Sequence, residues 1–180
     1  MIFNLIYKVI NRAAHWYRRK VFKLKTGTKH NNFVLLGNVN LLNYDVKIGN
    51  NVTIYPDATF WGGGHIEIGD NCSIGQSTVI FASKSGGVTI GNNTHIAAQC
   101  YIIDMDHGTQ ANMLIEKQEN SVDKISIGND VWIGAGAKIL KGSTLKSHSV
   151  IGANAVVKGI IEENAIAVGV PAHIIKYRNE

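Results

Sequence analysis

The sequence predicts an all-β chain wound as a parallel β-helix of triangular section, with an amphipathic helix before it and a short segment after it. Three observations carry this expectation. Aliphatic or aromatic residues recur every six positions: Ile48, Ile54, Phe60; Ile68, Ile74, Ile80; Ile90, Ile96, Ile102; Ile127, Ile133, Ile139; and Leu145, Ile151, Val157. Four positions later the side chain is small or β-branched wherever the register runs on, as at Val52, Ala58, Cys72, Thr78, Cys100, Ala137 and Ala155. The register breaks only after Phe60, Ile80 and Ile102, each time at the third repeat of a triplet. A helix repeats about every 3.6 residues and a strand every two, so neither produces this pattern. Coils of 18 residues with three short sides do produce it. Their strands pair in parallel with the coils above and below, at about 4.8 Å.

Residues 1–30 are expected to form a helical arm. Ile2, Leu5, Ile6, Val9, Ile10, Ala13, Trp16 and Tyr17 recur at helical spacing, with Lys8, Arg12, Arg18 and Arg19 around them. Residues 1–44 carry eight Lys and Arg and no acid, whereas residues 45–180 are net −3. A basic amphipathic helix with aromatic residues suits a membrane surface, and residues 1–25 are the candidate for such contact. It also suits packing against its own domain or a neighbouring subunit. No nucleic-acid partner is expected, because no basic patch elsewhere extends the arm. Lys8 and Arg12 interrupt the apolar stretch and no small-residue cleavage site follows, which speaks against a secretory signal. No apolar run approaches the roughly 20 residues of a membrane-spanning helix. An apolar share of 45% excludes disorder, while 17% charged residues, 19 Gly and 2 Pro favour many short strands joined by tight turns.

Residues 34–162 are expected to form the β-helix, with Leu36 and Leu42 extending its register backwards, and 163–180 a C-terminal tail. Gly49-Asn50, Gly69-Asp70, Gly91-Asn92 and Gly128-Asn129 mark one corner, where the turn needs residues that tolerate positive φ. Cys72 falls on the second side of its coil and Cys100 on the third, so the thiols are core residues that do not meet. Two reduced thiols suit the cytoplasm.

The break after Ile102 inserts a loop at about 103–124, opening Ile103-Asp104-Met105-Asp106-His107-Gly108. Function concentrates in long loops on rigid frames. Two carboxylates flanking a histidine suit a general base with an orienting partner, and spacing does not choose between Asp104 and Asp106. Trp132 precedes the inward Ile133 and therefore points outward, toward a ligand or a subunit. His95 points outward too, and His65 and His148 fall at corners as surface or interface residues. The nearest two histidines are 12 positions apart, so no metal site is expected. No serine or cysteine sits in a nucleophile setting. A purely structural β-helix would present flat threonine faces and no long polar loop.

These repeats, together with Asn129-Asp130-Val131-Trp132-Ile133-Gly134-Ala135-Gly136-Ala137, Ser149-Val150-Ile151-Gly152-Ala153 and Ala167-Val168-Gly169-Val170-Pro171-Ala172, resemble the hexapeptide-repeat acyltransferases over about residues 34–176. Within that family, Asp104-Met105-Asp106-His107 is similar to the bacterial sugar O-acetyltransferases that decorate surface polysaccharides. The resemblance implies a left-handed coil, a homotrimer with active sites between neighbouring prisms, acetyl-CoA as co-substrate and no metal. It implies His107 as the catalytic base, supported by Asp106 or Asp104. His107 would deprotonate the acceptor hydroxyl for direct attack on the thioester, with a backbone N–H on the oxyanion. CoA would lie along Gly134-Ala135 and Gly152-Ala153, whose backbone amides are expected to be available to it, with Trp132 near its thioester arm. The segment Pro171 to Arg178 resembles the family's basic tail beside the nucleotide, with Lys176 where an arginine is common. The family often has Thr-Lys-Asp where this chain has Lys158-Gly159-Ile160, so Lys158 stands one place early; it is a phosphate contact or a solvated lysine. The implied acceptor is a sugar or glycan hydroxyl in capsule or lipopolysaccharide synthesis. A lipid-linked acceptor at the inner face of the cytoplasmic membrane would give the basic arm a purpose. The alternative is N-acetylation of an amino sugar nucleotide, because the loop chemistry does not distinguish hydroxyl from amine.

Overall fold

The computed structural model describes the backbone of residues 2–178 and the side chains from residue 9. The side chains of Ile2, Leu5, Ile6 and Lys8 in the arm's pattern lie outside the described residues. Helix α1 spans Ile2–Thr26, and short strands then stack into three flat sheets, the sides of a prism. The first side runs from Val46–Ile48 up to Ile160–Ile161, and the third from Asn40–Leu41 up to Val156–Val157. The second runs from Phe33–Leu35 to the C-terminal strands. Successive coils pair in parallel, so Ile54, Ile74, Ile96, Ile133 and Ile151 stand in one row. The chain is a left-handed parallel β-helix.

Burial explains the six-residue period. Ile54, Ile74, Ile80, Ile102, Ile133 and Ile139 have no exposed surface, and neither do the small residues Val52, Ala58, Ala137 and Ala155 between them. One large and one small side chain per side fill the triangle. Cys72 and Cys100 are buried and unpaired on different sides, and burial raises both thiols above their usual range.

The Gly-Asn and Gly-Asp corner works as a ladder. The Asn50 amide donates to Asp70 Oδ1 at 2.6 Å, the Asp70 amide to Asn92 Oδ1 at 2.7 Å and the Asn92 amide to Asn129 Oδ1 at 2.8 Å. The next residue of each corner, Asn51, Asn71, Asn93 and Asp130, has φ between 52° and 57°. Each corner side chain thus accepts from the turn one coil before it in sequence, while its neighbour adopts the left-handed conformation that asparagine tolerates.

Two features differ from the sequence register. The stack does not stop at 162: Ala165–Val168 adds a parallel rung on Val150–Ile151. The corner after Val157 is two residues short, so the inward Ile161 stands four positions on instead of six, and the next inward position is held by Ala167; the six-residue period therefore does not show the rung. The chain then reverses, and His173–Tyr177 lies antiparallel on that rung. His65 opens the strand His65–Ile68 instead of lying at a corner, and its ring sits 3.0 Å from Asp45 and 3.5 Å from Glu67.

Helix α1 covers the first coil. Phe22 is 1% exposed and its ring lies 5.3 Å from that of Phe33. His15 Nδ1 donates to the Leu35 carbonyl at 3.0 Å, and Arg18 Nε to Asn38 Oδ1 at 2.9 Å. Packing on its own coil is therefore one role of the arm. No helix among the described residues is long and apolar enough to cross a membrane.

Candidate active site

The 103–124 insertion leaves the corner between the third and first sides. Shorter insertions leave the same corner in the two preceding coils, after Phe60 and after Ile80. Ile103 still pairs with Phe81, and Asp104 then turns inward with no exposed surface. Its carboxylate accepts from the Ser83 amide at 2.9 Å, the Ser83 hydroxyl at 3.2 Å and the Gly87 amide at 2.7 Å. A Cβ on Gly86 would stand 2.0 Å from Asp104 Oδ2, so only glycine lets the carboxylate in.

Beyond Asp104 the loop forms a two-stranded ribbon, with Met105–Asp106 antiparallel to Ser121–Val122. The Asp123 amide closes its base by donating to the Asp104 carbonyl at 3.0 Å. Lys141 Nζ stands 3.3 Å from Asp106 Oδ2 and also donates to the Ser121 hydroxyl. Gln118 staples the far end: its oxygen accepts from the Gln110 amide at 2.7 Å and its nitrogen donates to the Met113 carbonyl at 2.7 Å. His107 follows the ribbon strand, is exposed, and lines a cleft of about 700 Å³ with Gln110, Met113, Lys117, Gln118 and Ser121.

The fold brings Asp104, Asp106 and His107 together at one corner but gives them separate partners. Asp104 holds the preceding insertion, Asp106 faces Lys141, and neither ring nitrogen of His107 is bonded within the described residues. An exposed imidazole with open nitrogens can take a proton from a hydroxyl or amine placed in the cleft. Lys141, Gln118 and the Ser83–Gly87 cradle are absent from the sequence expectations. Insertions stacked at one corner were a readable signal for the cradle; nothing local marks Lys141 or Gln118.

Trp132 is 57% exposed on the second side. It pairs with Val150, Val150 with Ile166, and Ile166 with Lys176, which places Trp132 and the exposed Lys176 in one row. At the next corner, a Cβ on Gly134 would lie 2.6 Å from the Ala153 amide, so the coils close up there. The glycine amides are engaged: Gly134 donates to the Ile151 carbonyl and Gly152 to the Ala167 carbonyl, each at 2.8 Å. Those of Ala135 and Ala153 carry no hydrogen bond among the described residues, so the donors open to a ligand belong to the alanines, not to the glycines. Lys158 is exposed at the insertion's corner, a full side away from Gly134 and Gly152. Among the described residues no group of three His, Cys, Asp or Glu could hold a metal ion.

The family description "bacterial transferase hexapeptide (six repeats)" matches residues 124–159, and "hexapeptide repeat of succinyl-transferase" matches 65–103. The chain is 33% identical over 146 residues to the putative lipopolysaccharide biosynthesis O-acetyl transferase WbbJ of Escherichia coli, covering 77% of this chain and 72% of the relative. The chain belongs to the hexapeptide-repeat acyltransferase family. It is 34% identical to the galactoside O-acetyltransferase of Escherichia coli, over 74% of this chain and 64% of that one. A probable acetyltransferase of Mycobacterium tuberculosis is 35% identical over 64% of this chain, which spans only 38% of that relative's length. Among solved structures, a mutant of AntD, an N-acyltransferase from Bacillus cereus, in complex with dTDP and coenzyme A shares the fold. It has a TM-score of 0.77 at 21% identity, covering 89% of each chain.

Proposed function

We propose that the chain is an acetyl-CoA-dependent O-acetyltransferase acting on a sugar hydroxyl in cell-surface polysaccharide synthesis, with His107 as general base. The observation that carries this reading is the position of His107, exposed at the cleft on a ribbon held at its base by buried Asp104. Relatives named for lipopolysaccharide and galactoside O-acetylation support a hydroxyl acceptor, and the coenzyme A bound to AntD supports the donor. His107 removes the hydroxyl proton as the oxygen attacks the thioester carbonyl. A backbone N–H stabilises the oxyanion, and collapse expels the CoA thiolate, which takes the proton back from the imidazolium. Asp104 and Asp106 act as positioning residues for the ribbon. CoA runs along Trp132, Ala135, Ala153 and Lys176, in a homotrimer whose sites lie between prisms. The reaction belongs in the cytoplasm, where acetyl-CoA is at hand.

N-acetylation of an amino sugar nucleotide is the second reading. It is favoured by a 28% identical relative, the dTDP-4-amino-4,6-dideoxy-D-glucose acyltransferase of Escherichia coli, 83% of which is covered. Thiol release from acetyl-CoA across nucleotide sugars, amino sugars and free or lipid-linked glycans decides between them, with His107→Ala beside the wild type. Release with hydroxyl acceptors alone supports O-transfer; release with amino sugars alone replaces it with N-transfer. Release that persists in the variant removes His107 from the chemistry.

A further inference from the structure

Helix α1 has two faces, and the coil occupies one of them. His15, Arg18 and Phe22 turn toward the coil. At about 3.6 residues per turn, the opposite face carries Val9, Ala13, Trp16, Tyr17, Lys20 and Leu24. All six are exposed, Trp16 at 62%, Tyr17 at 63% and Leu24 at 85%. Lys20 Nζ lies 4.9 Å from the centroid of the Trp16 ring. Arg12, Arg19 and Lys23 stand along one edge, where with Trp16 and Leu24 they line an open groove of about 1000 Å³. Isolated exposed apolar residues need no explanation, but a continuous helical face with Trp and Tyr at its centre and cations at its edge does.

We infer that this face docks on an anionic lipid membrane. Charge selects that occupant over a second copy docked through the same face. Residues 1–44 hold eight Lys and Arg and no Asp or Glu, so two such faces brought together would repel. The remainder of the chain is net −3, so attraction to anionic lipid is confined to the arm and orients the molecule. The apolar and aromatic side chains enter the headgroup region while Arg12 at the edge reaches lipid phosphates; Arg19 and Lys23, which donate to Asn31, add positive charge from behind it. Lys20, within the face, has a stem long enough to do the same. The His15–Phe22 face is docked on the first coil, so the membrane meets that end of the prism. No residue of the acyl-transfer site belongs to this face, so membrane docking is independent of acyl transfer.

The test is co-sedimentation of the full chain with vesicles of phosphatidylcholine alone and of phosphatidylcholine containing about one third phosphatidylglycerol. At low salt the anionic vesicles are expected to bind at least about tenfold more tightly, and the difference shrinks as salt shortens the range of the attraction. Arg12→Glu with Lys20→Glu, and separately Trp16→Ser with Leu24→Ser, each reduce binding about tenfold, with the melting temperature and oligomeric state unchanged. Equal binding to neutral vesicles, no binding to anionic vesicles at low salt, or full binding by both double variants overturns the inference. A changed oligomeric state in Trp16→Ser with Leu24→Ser also overturns it and assigns the face to a second copy of the chain.

Discussion

The Gly87 amide donates a 2.7 Å hydrogen bond to the carboxylate of Asp104, a side chain with no exposed surface. This bond ties the insertion carrying His107 to the shorter insertion of the preceding coil. Asp104→Ala would leave the Ser83 and Gly87 amides without their acceptor. A loss of about 2–3 kcal/mol is expected, since buried donors stranded without a partner keep their desolvation cost. The melting temperature should fall by about 5 °C or more. Gly86→Ala should act in the same direction, because its Cβ would collide with Asp104 Oδ2. If both variants melt with the wild type, the clamp does not hold the loop.

His107 is exposed and bonded to nothing within the described residues, so its removal should cost activity and not stability. His107→Ala is expected to lower kcat about 10²–10⁴-fold, the usual contribution of a general base. Circular dichroism and the melting temperature should not move. Activity within tenfold of wild type would remove it from the mechanism.

Trp132 and Lys176 share a row of the second side, three pairings apart. If CoA lies along that row, Trp132→Ala and Lys176→Ala each raise KM for acetyl-CoA, by about threefold to thirtyfold for the loss of one exposed aromatic or charged contact. The acceptor's KM should be little affected. Lys158→Ala is the comparison: a full side away, it is expected to move the acetyl-CoA KM less. Titration calorimetry with CoA gives the same ranking independently of turnover.

Asp130 anchors the returning C-terminal strand. Its Oδ2 lies 2.9 Å from His148 Nδ1 and 2.8 Å from Arg178 Nη1, and these partners, His148 foremost, hold the carboxyl below its ordinary range. A lowered folded-state pKa stabilises the fold fully above the unfolded value, near 3.9, and the contribution disappears as pH falls through the folded value. The anchor should therefore be intact at pH 5 and weaken below about pH 4. Protection of the His173–Tyr177 amides, taken relative to the intrinsic exchange rate at each pH, is the readout, and it is expected to fall below about pH 4. Arg178→Ala should show that lower protection already at about pH 6. The groups are half exposed, so global stability should change by less than about 1 kcal/mol.

The coil was legible because each inward position sees the same surroundings in every turn. Ile54, Ile74, Ile96, Ile133 and Ile151 fill equivalent places, and the repeated demand for one large and one small side chain writes itself into the chain as a six-residue period. The corner that holds Asn50, Asp70, Asn92 and Asn129 was legible for the same reason, while the hydrogen bonds that link them from coil to coil were not. Where a position occurs once, the pattern is silent. Asp104 and Asp106 both flank His107, and which one turns inward depends on the Ser83 and Gly87 amides, 21 and 17 residues away. The rung at Ala165–Val168 was hidden because the corner between Val157 and Ile161 is two residues short and Ala167 then takes an isoleucine's place.

By itself, the sequence determined the β-helix, the corner from which the insertion leaves, the outward direction of Trp132 and the charge of the arm. All of these follow from local periodicity or from counting. Only the tertiary structure decided which carboxylate is buried, that Lys141 meets Asp106, that the Gly134 and Gly152 amides are spent on neighbouring coils, and which face of helix α1 stays open. Those outcomes depend on contacts between segments distant in the chain, where a side chain's partner is set by how the coils stack and not by its neighbours in sequence.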